Sequence, residues 1–340
     1  MSRPARQGRA TVGGVQGVVN WAEASVLVTG GTGSFGNKFV EIMLEKYHPR
    51  RLVVFSRDEL KQSEMMGRFK DPSLRFFVGD VRDKERLERA MHGVDVVIHA
   101  AALKQIPSCE YNPFEAIQTN VIGVKNVIDA AIDQGVPRVM AISTDKAVNP
   151  INLYGATKLC AEKLVVQGNA YGHARSTIFS VVRYGNVIGS RGSVIPLFAS
   201  QRAGGTVTVT DPGMTRFWIR LEQGVEFAIR CASLMRGGEI FVPKIPSMRM
   251  MDLVAAVAPG CKVEFIGIRP GEKLHEILMS DDESRQAVEF GDMFVIEPIY
   301  PSWPFRSREG GKPPAAGFRY SSESNDWWFS EAEMRGMANG

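Results

Sequence analysis

Two polar side chains four residues apart carry the strongest chemical signal in the sequence. Tyr154 and Lys158 lie in the segment YGATK, inside a stretch predicted to be helical from Leu153 to Gln167. Residues four apart share one helix face, so the Lys158 ammonium is expected to depress the pKa of the Tyr154 hydroxyl. A tyrosinate accepts the proton of a sugar hydroxyl while hydride leaves the same carbon. The spacing by itself occurs by chance in many helices, but after a strand that ends in Ser143 and Thr144, within a pattern of alternating strands and helices, it predicts oxidation of an alcohol beside a nicotinamide.

Two ionisable residues stand just before this helix. Asp145 and Lys146 follow an apolar run that ends in Ser143 and Thr144, at the carboxyl end of a predicted strand. In an exposed loop such neighbours form a surface ion pair, whereas a lysine that acts as a base needs burial to lower its pKa. The residues alone leave both interpretations open.

A glycine-rich segment after the first apolar run predicts a dinucleotide site. The segment at 29–36 reads TGGTGSFG, directly after a strand and at the start of a helical pattern. Glycine lets the backbone turn tightly and approach a pyrophosphate, which the N-terminus of the next helix also attracts. This context favours a cofactor over a plain tight turn. The expected contacts are Gly30, Thr32, Gly33, Ser34, Phe35 and Gly36.

The end of the second strand bears on which cofactor binds. Ser56, Arg57, Asp58 and Lys61 stand where NAD-binding chains carry an acid for the adenosine ribose. Arg57 and Lys61 offer cations to a 2′-phosphate, so NADP is favoured over NAD. The alternative is that both residues belong to a solvated helix face.

Further cofactor contacts follow from position in the expected fold. Asp80 and Val81, after the third strand, are placed for the adenine. Small residues after the fourth strand let the cofactor lie close to the sheet, and Lys104 beyond them is expected to face the sugar or the nicotinamide. The small residues are Ala100, Ala101 and Ala102.

Alternating elements must position these groups. Apolar runs at 25–29, 51–56, 75–80, 95–100, 138–143 and 179–184 alternate with helical stretches, which predicts an α/β fold with a Rossmann-type doubly wound parallel sheet. After residue 186 the pattern becomes irregular, which predicts a smaller C-terminal substrate-binding lobe. The expected divisions are a flexible tail at 1–22, an NADP-binding domain at 23–186, and the lobe and C-terminal tail at 187–340, with some segments returning to the first domain.

Composition excludes several classes of protein. With 41 basic and 37 acidic residues the net charge of +4 does not indicate nucleic-acid binding, and no apolar run is long enough for a membrane span. The four cysteines are widely spaced, which argues against a zinc site and fits reduced thiols in a cytoplasmic enzyme. No metal is expected.

Long strings within the chain resemble a known family. Through TGGTGSFG, HAAA and YGATK the chain is similar to the extended short-chain dehydrogenases/reductases that modify nucleotide sugars. Across residues 25 to 330 it resembles their inverting UDP-N-acetylglucosamine 4,6-dehydratases, which begin pseudaminic acid synthesis, and the CapD-like polysaccharide biosynthesis group. The strings that carry this resemblance are SRDELKQSEM (56–65), HAAALKQIPSCEYNP (99–113), RYGNVIGSRGSV (183–194), TRFWI (215–219), GGEIFVPKIPSM (237–248) and IRPGEKLHE (268–276).

The resemblance implies roles for the residues around Tyr154. Ordinary 4,6-dehydratases of the superfamily carry Thr-Asp-Glu after strand five, whereas this chain has Thr144-Asp145-Lys146. The implied sequence of steps is C4 oxidation, C5 deprotonation by Lys146, loss of the C6 hydroxyl with a proton from Asp145, hydride return to C6, and reprotonation that inverts C5. The implied product is UDP-2-acetamido-2,6-dideoxy-beta-L-arabino-hex-4-ulose. NADP is regenerated within the turnover, and a homo-oligomer is expected.

The resemblance also implies a set of substrate contacts. Arginine suits a diphosphate because its planar guanidinium binds oxyanions in a bidentate way. Thr210 and Glu272 are implied as uridine contacts. The full expected set is Lys104, Tyr154, Arg183, Asn186, Val187, Ser190, Arg191, Val194, Thr210, Arg269 and Glu272.

Two kinds of rival function share parts of this pattern. A 4-epimerase or a non-inverting dehydratase has the same fold, cofactor and Tyr154–Lys158 pair, but an epimerase needs neither a C6 acid nor a C5 base. A non-catalytic NADP-binding sensor usually lacks the Tyr–Lys pair, which this chain retains.

Overall fold

The structure is a computed structural model that describes residues 18–189, 194–299 and 301–338. The first seventeen residues of the predicted tail therefore lie outside the described part. All six apolar runs predicted from the sequence form strands. In chain order the strands are β1 (Ser25–Thr29), β2 (Arg51–Ser56), β3 (Leu74–Val78), β4 (Val96–His99), β5 (Arg138–Thr144), β6 (Ile178–Tyr184), β7 (Asn186–Ile188), β8 (Thr206–Val209), β9 (Thr215–Arg220), β10 (Ile240–Pro243), β11 (Ser247–Arg249), β12 (Lys262–Phe265), β13 (Ile277–Met279), β14 (Ala287–Phe290), β15 (Met293–Ile296) and β16 (Tyr320–Ser321).

The helices connect these strands. Two of the connecting segments contain a π-helical turn, at 43–47 and at 118–122, and the helix that carries Tyr154 runs to Gly172. Among the described residues, no helix combines the length and apolar character that crossing a bilayer requires. The α-helices are α1 (Ser34–Ile42), α2 (Glu59–Arg68), α3 (Lys84–Met91), α4 (Ile106–Tyr111), α5 (Pro113–Ile117), α6 (Gly123–Gln134), α7 (Leu153–Gly172), α8 (Val194–Arg202), α9 (Leu221–Leu234), α10 (Met250–Val257), α11 (Asp281–Ser284) and α12 (Glu331–Ala338).

The predicted doubly wound sheet is confirmed. The main sheet has the strand order β14-β15-β10-β6-β5-β4-β1-β2-β3 in the described residues. The run from β3 to β10 is parallel, and β15 and β14 add antiparallel strands at one edge. Every residue of β1 is buried, as expected for a parallel strand with helices on both faces of its sheet. The strand order reverses between β1 and β4, and ligands bind at such a point outside the carboxyl ends of the strands.

The C-terminal part of the chain contributes strands to two different sheets. Strands β10, β14 and β15 extend the main sheet, whereas β7, β9 and β11 form a separate three-stranded sheet. A second hydrophobic core lies under this smaller sheet and includes Phe198, Trp218, Leu253 and, from α12, Met334. The division at residue 186 into a cofactor-binding domain and a substrate-binding lobe stays a prediction.

Arg183, near the end of β6, requires a correction, because it does not reach the substrate side of the fold. Its side chain is completely buried. The guanidinium donates two hydrogen bonds to Glu162 of α7, at 3.0 and 2.6 Å, and two to Glu283 of α11, at 3.0 and 2.8 Å. It also donates to the carbonyl oxygen of Leu278 at 2.9 Å. Arg183 therefore ties the sheet to α7 and to the C-terminal segments.

Replacing Arg183 is expected to cost stability. The variant Arg183→Met leaves Glu162 and Glu283 without their partner, and breaking a buried ion pair on one side costs about 3–5 kcal/mol in free energy of unfolding. Chemical denaturation measures this loss. The matched control is Arg230→Met, which breaks an exposed pair with Asp292 and is expected to cost less than about 1 kcal/mol. Equal losses in the two variants contradict the role of Arg183.

Candidate active site

A large cavity opens where the strand order of the main sheet reverses. Its volume is about 1080 Å³, and its wall includes residues that directly follow β1, β2, β4 and β5. Single-ligand pockets usually measure about 300–1,000 Å³, so this cavity has room for a cofactor and a second molecule. The other wall comes from residues of the C-terminal part, including Thr210, Arg269 and Glu272.

Glycines shape the first turn of this cavity. Gly30 has a φ of +65°, and a Cβ atom there would lie 2.9 Å from the Ala101 backbone. A Cβ atom at Gly36 would lie 2.4 Å from the backbone of Gly31, so Gly36 permits close packing of α1 on the turn and does not line the cavity. Helix α1 begins after Gly33 without a side-chain cap. This helix end therefore presents the anion-binding arrangement that a pyrophosphate uses.

The charged residues after β2 and β3 lie at one end of the cavity. The Arg57 side chain is 61% exposed, and its Nη1 atom lies 3.7 Å from Asp80 Oδ2. Asp58 caps helix α2 and pairs with Lys61 Nζ at 2.6 Å. Hydrogen bonds from Arg82 hold the pKa of the Asp80 carboxyl below its usual range, although burial opposes this shift. Arg57 and Lys61 are thus two cations at the same rim.

Most of the residues predicted from the sequence meet in this one cavity. Gly36, Asp145 and Arg183 are described but do not line it, and Ser190 and Arg191 lie outside the described residues. The predicted residues that line it are Gly30, Thr32, Gly33, Ser34, Phe35, Ser56, Arg57, Asp58, Lys61, Asp80, Val81, Ala100, Ala101, Ala102, Lys104, Thr144, Lys146, Tyr154, Lys158, Asn186, Val187, Val194, Thr210, Arg269 and Glu272.

Tyr154 and Lys158 lie in the first turns of α7, as predicted, but their electrostatics differ from the expectation. Lys158 Nζ donates a hydrogen bond to the carbonyl oxygen of Ile142 at 2.7 Å. Burial lowers the pKa of Lys158 to about 8. Burial also raises the pKa of the Tyr154 hydroxyl, and its hydrogen bond with Thr144 offsets only part of this shift. The expected depression of the Tyr154 pKa is therefore wrong for the protein alone.

Asp145 and Lys146 are a buried pair and not an ion pair in a surface loop. The Asp145 side chain is fully buried, the Lys146 side chain is 20% exposed, and Lys146 Nζ lies 3.0 Å from Asp145 Oδ1. Thr144 donates a hydrogen bond to Asp145 at 2.8 Å, and Lys146 donates one to Asn186 Oδ1 at 2.7 Å. Because Lys146 lines the cavity while Asp145 lies behind it, the pair presents its nitrogen to a bound molecule.

The pKa directions of this pair follow from its burial and its charges. Burial raises the pKa of the Asp145 carboxyl, and the Lys146 charge offsets only part of the shift. Burial by itself lowers the pKa of Lys146, but the carboxylates of Asp145 and Glu276 outweigh burial and raise it. The expectation that the Lys146 pKa is lowered is therefore wrong. The pKa of both groups is therefore higher than usual, that of the acid through burial and that of the lysine through its neighbouring carboxylates.

Sequence reasoning did not select three charged residues of the same wall. Arg216, Lys273 and Glu276 all line the cavity, and Arg216 and Glu276 are buried. A signal was present in the sequence, because Arg216 stands inside the apolar strand β9 and Glu276 directly precedes the apolar run ILM. A charge within an apolar stretch needs a buried partner, but the sequence does not tell which one.

Two buried hydroxyls support the presence of a polar ligand. Ser143 Oγ and Thr119 Oγ1 are buried, line the cavity and have no hydrogen-bond partner within the described part of the protein. Buried polar atoms usually have a partner, so these two hydroxyls are suited to one that arrives with a ligand. Together with the turn at Gly30, they fit a nicotinamide dinucleotide held along the carboxyl ends of the strands.

Two curated relatives are similar to most of the chain. A protein of Campylobacter jejuni serotype O:2 named UDP-N-acetylglucosamine 4,6-dehydratase (inverting) is 50% identical over 327 residues, which cover 93% of this chain and 97% of that protein. A protein of Rickettsia canadensis named UDP-glucose 4-epimerase is 43% identical over 284 residues, which cover 81% of this chain and 83% of that protein.

Two solved structures share the fold. Pen from Bacillus thuringiensis superposes with a TM-score of 0.86 at 40% identity, covering 93% of this chain and 97% of that chain. DesIV, a dTDP-glucose 4,6-dehydratase from Streptomyces venezuelae with NAD and TYD bound, superposes with a TM-score of 0.66 at 25% identity. The match covers 74% of this chain and 86% of that chain. The family model described as polysaccharide biosynthesis protein matches residues 26–298. Because that match spans most of the chain, and the relatives and structures agree with it, this chain belongs to the polysaccharide biosynthesis protein family.

Proposed function

We propose that this chain catalyses the 4,6-dehydration of UDP-N-acetylglucosamine with inversion at C5, as a nicotinamide-dependent hydro-lyase. The name of the Campylobacter jejuni relative states this activity for that protein. The observation that carries the proposal is the buried Asp145–Lys146 pair, whose lysine lines the same cavity as Tyr154 and Lys158. A 4-epimerase has no use for an acid and a base at this position, so the pair favours the dehydratase over the epimerase relatives.

The proposed cofactor is NADP. The fold and the cavity support a nicotinamide dinucleotide, which supplies the group that accepts hydride from C4 and gives it back to C6. Gly30, Gly33 and the start of α1 would hold its pyrophosphate. The choice of NADP over NAD depends on Arg57 and Lys61, whose cations suit a 2′-phosphate.

In the proposed oxidation, Tyr154 accepts the proton of the C4 hydroxyl. Its raised pKa makes the tyrosinate a stronger base once it is deprotonated. The Lys158 ammonium, held by the carbonyl oxygen of Ile142, supplies positive charge on the same helix face. The resulting 4-keto group makes the C5 hydrogen acidic, because an enolate can form.

In the proposed elimination, Asp145 and Lys146 work as one unit. Moving one proton from Lys146 Nζ to Asp145 Oδ2, along their 3.1 Å hydrogen bond, produces a neutral amine and a protonated carboxyl without changing the total charge. Burial favours such a neutral pair over two separate charges. The amine, which lines the cavity, then takes the C5 proton. Because Asp145 does not line the cavity, its proton passes to the departing C6 oxygen through the hydroxyl of Thr144, which lines the cavity and is hydrogen-bonded to Asp145 at 2.8 Å. The raised pKa of Asp145 fits this role.

The proposed substrate contacts lie beyond the reacting groups. Lys104, Asn186, Arg269 and Glu272 line the cavity, and they offer donors and acceptors to a nucleoside diphosphate sugar. A homo-oligomeric state, a cytoplasmic location and entry of the product into pseudaminic acid-type sugars stay predictions.

The reaction is tested by NMR of the product formed from UDP-N-acetylglucosamine in D2O. We expect a 6-deoxy-4-keto sugar with deuterium at C5 and inverted configuration there. A product with retained C5 configuration indicates a non-inverting dehydratase, and C4 inversion without loss of water indicates an epimerase. Cofactor binding without any turnover indicates a sensor.

Cofactor choice is tested by the variant Arg57→Ala. Loss of a charge-assisted contact with the 2′-phosphate should weaken NADP+ binding by about 1.5–3 kcal/mol and leave NAD+ binding unchanged, as measured by calorimetry. The control is Arg68→Ala on α2, an exposed arginine that pairs with Glu41 and is absent from the cavity wall. Equal weakening of both cofactors by Arg57→Ala refutes the assignment.

The roles of Lys146 and Tyr154 are separated by a single-turnover experiment. In Lys146→Met, hydride transfer from C4 should still occur, so the reduced cofactor accumulates without a 6-deoxy product or C5 deuterium exchange. In Tyr154→Phe, the first step itself should slow by about 10²–10⁴-fold, and no reduced cofactor should accumulate. Absorbance of the reduced cofactor distinguishes the two. Normal elimination by Lys146→Met shows that another group is the C5 base.

A further inference from the structure

Glu276 is a buried carboxylate that the proposed reaction leaves without a role. Its side chain is 3% exposed and lines the cavity just before β13. Its backbone is fixed, because its amide donates to Ser322 Oγ at 2.9 Å and its carbonyl accepts from the Ser322 amide at 2.8 Å. The C-terminal segment that carries Ser322 therefore sets the position of this carboxylate.

The nearest basic group to this carboxylate is the proposed C5 base. Glu276 Oε1 lies 3.5 Å from Lys146 Nζ. The same nitrogen lies 3.0 Å from Asp145 and 2.7 Å from Asn186 Oδ1. The ammonium donates hydrogen bonds to Asp145 and Asn186, and Glu276 adds an ion pair from a third side. The protonated form of Lys146 is thus held on three sides by groups from three separate segments.

The other cations near Glu276 are farther away and already engaged. Arg216 Nε lies 3.8 Å from Glu276 and Lys273 Nζ lies 4.0 Å from it. Arg216 donates to the backbone carbonyls of Thr215, Lys273 and Leu274, and Lys273 Nζ donates to that of Val148. The second oxygen of Glu276, Oε2, has no hydrogen-bond partner in the described part of the protein. These contacts leave the charge of Glu276 available to Lys146.

We propose that Glu276 is a positioning residue for the elimination step: its carboxylate holds Lys146 in place and stabilises the positive charge that grows on Nζ as the amine takes the C5 proton. This inference rests on the proposed function, since it assumes that Lys146 is the C5 base. A fixed anion aimed at a charge that develops during reaction lowers the barrier without reorganisation. The carboxylate acts through Lys146 and needs no contact with the sugar.

The proposal has a signature in the pH profile. The reactive pair holds one proton between Lys146 and Asp145, so the elimination rate rises with pH as the pair loses a second proton. Burial and Arg216 lower the pKa of Lys146, whereas Asp145 and the Glu276 carboxylate raise it, and Glu276 also raises the pKa of Asp145. Without the Glu276 carboxylate the pKa values of the pair fall, so the acid limb of the pH profile moves to lower pH and the amine becomes a weaker base. The charged groups that face Lys146 are Asp145, Glu276, Arg216, Lys104 and Lys273.

The test is Glu276→Gln, which keeps the shape and removes the charge. At the plateau of the pH profile, the rates of C5 deuterium exchange and product formation should fall about 10–100-fold. The acid limb of the same profile should move down by about one pH unit. Single-turnover reduction of the cofactor at C4 should stay near the wild-type rate, which shows that the variant is folded. Glu276→Asp, which keeps the charge, should retain the wild-type limb.

Glu272→Gln is the matched control. Glu272 lines the same cavity and also has a buried oxygen without a hydrogen-bond partner among the described residues, but it forms an ion pair with Arg216, at 3.5 Å, and not with Lys146. Its replacement should change KM for the nucleotide sugar and leave the acid limb in place. If Glu276→Gln lowers the plateau rate but leaves the acid limb of the pH profile in place, Glu276 has only a structural role and the proposal is overturned. If the wild-type protein fails to dehydrate UDP-N-acetylglucosamine, the proposed function itself fails.

Discussion

The arrangement of the site depends on keeping an acid and a lysine in contact away from water. Taking two charges out of water costs several kcal/mol per ion unless hydrogen bonds and further charges compensate. For Asp145 and Lys146 the neighbouring Thr144 hydroxyl gives part of the compensation, and the rest comes from Asn186 at the start of β7 and Glu276 before β13. The pair can therefore exist only if the C-terminal half of the chain folds back over the carboxyl ends of the parallel strands.

Buried ion pairs also hold the C-terminal segments in this position. Arg183 joins β6 to α7 and α11 through Glu162 and Glu283, and none of these three residues lines the cavity. Both networks use the segment from residue 276 to 283, one end for the reaction and the other for stability. Because this segment is short, a shift of the Arg183 network is expected to move Glu276 as well, and the reverse.

The sheet could be predicted from the sequence, because its apolar strands and its glycine turn are each visible in a short stretch of residues. Only the pairing of these strands depends on the rest of the chain. The sequence also placed Tyr154, Lys158 and Lys146 together, since residues after parallel strands meet at one edge. The prediction for Arg183 was wrong. Its place in the string RYGN suggested a substrate contact, but its guanidinium binds two carboxylates that are distant from it in sequence. Sequence reasoning missed Glu276 and gave the wrong pKa direction for Lys146 for the same reason, because partners brought in by the fold decide both.

The bond between Ser322 and Glu276 gives the folding chain an order of assembly. The strands that form the cofactor side of the cavity are complete by Tyr184, and β1 to β6 pair with one another. The carboxylate beside Lys146 and the serine that fixes it lie C-terminal to all six of these strands. Contacts between segments distant in sequence form later than contacts between neighbouring segments. A chain that has built the cofactor side of the cavity therefore still lacks the carboxylate beside Lys146, and the second wall is completed only when these later segments dock.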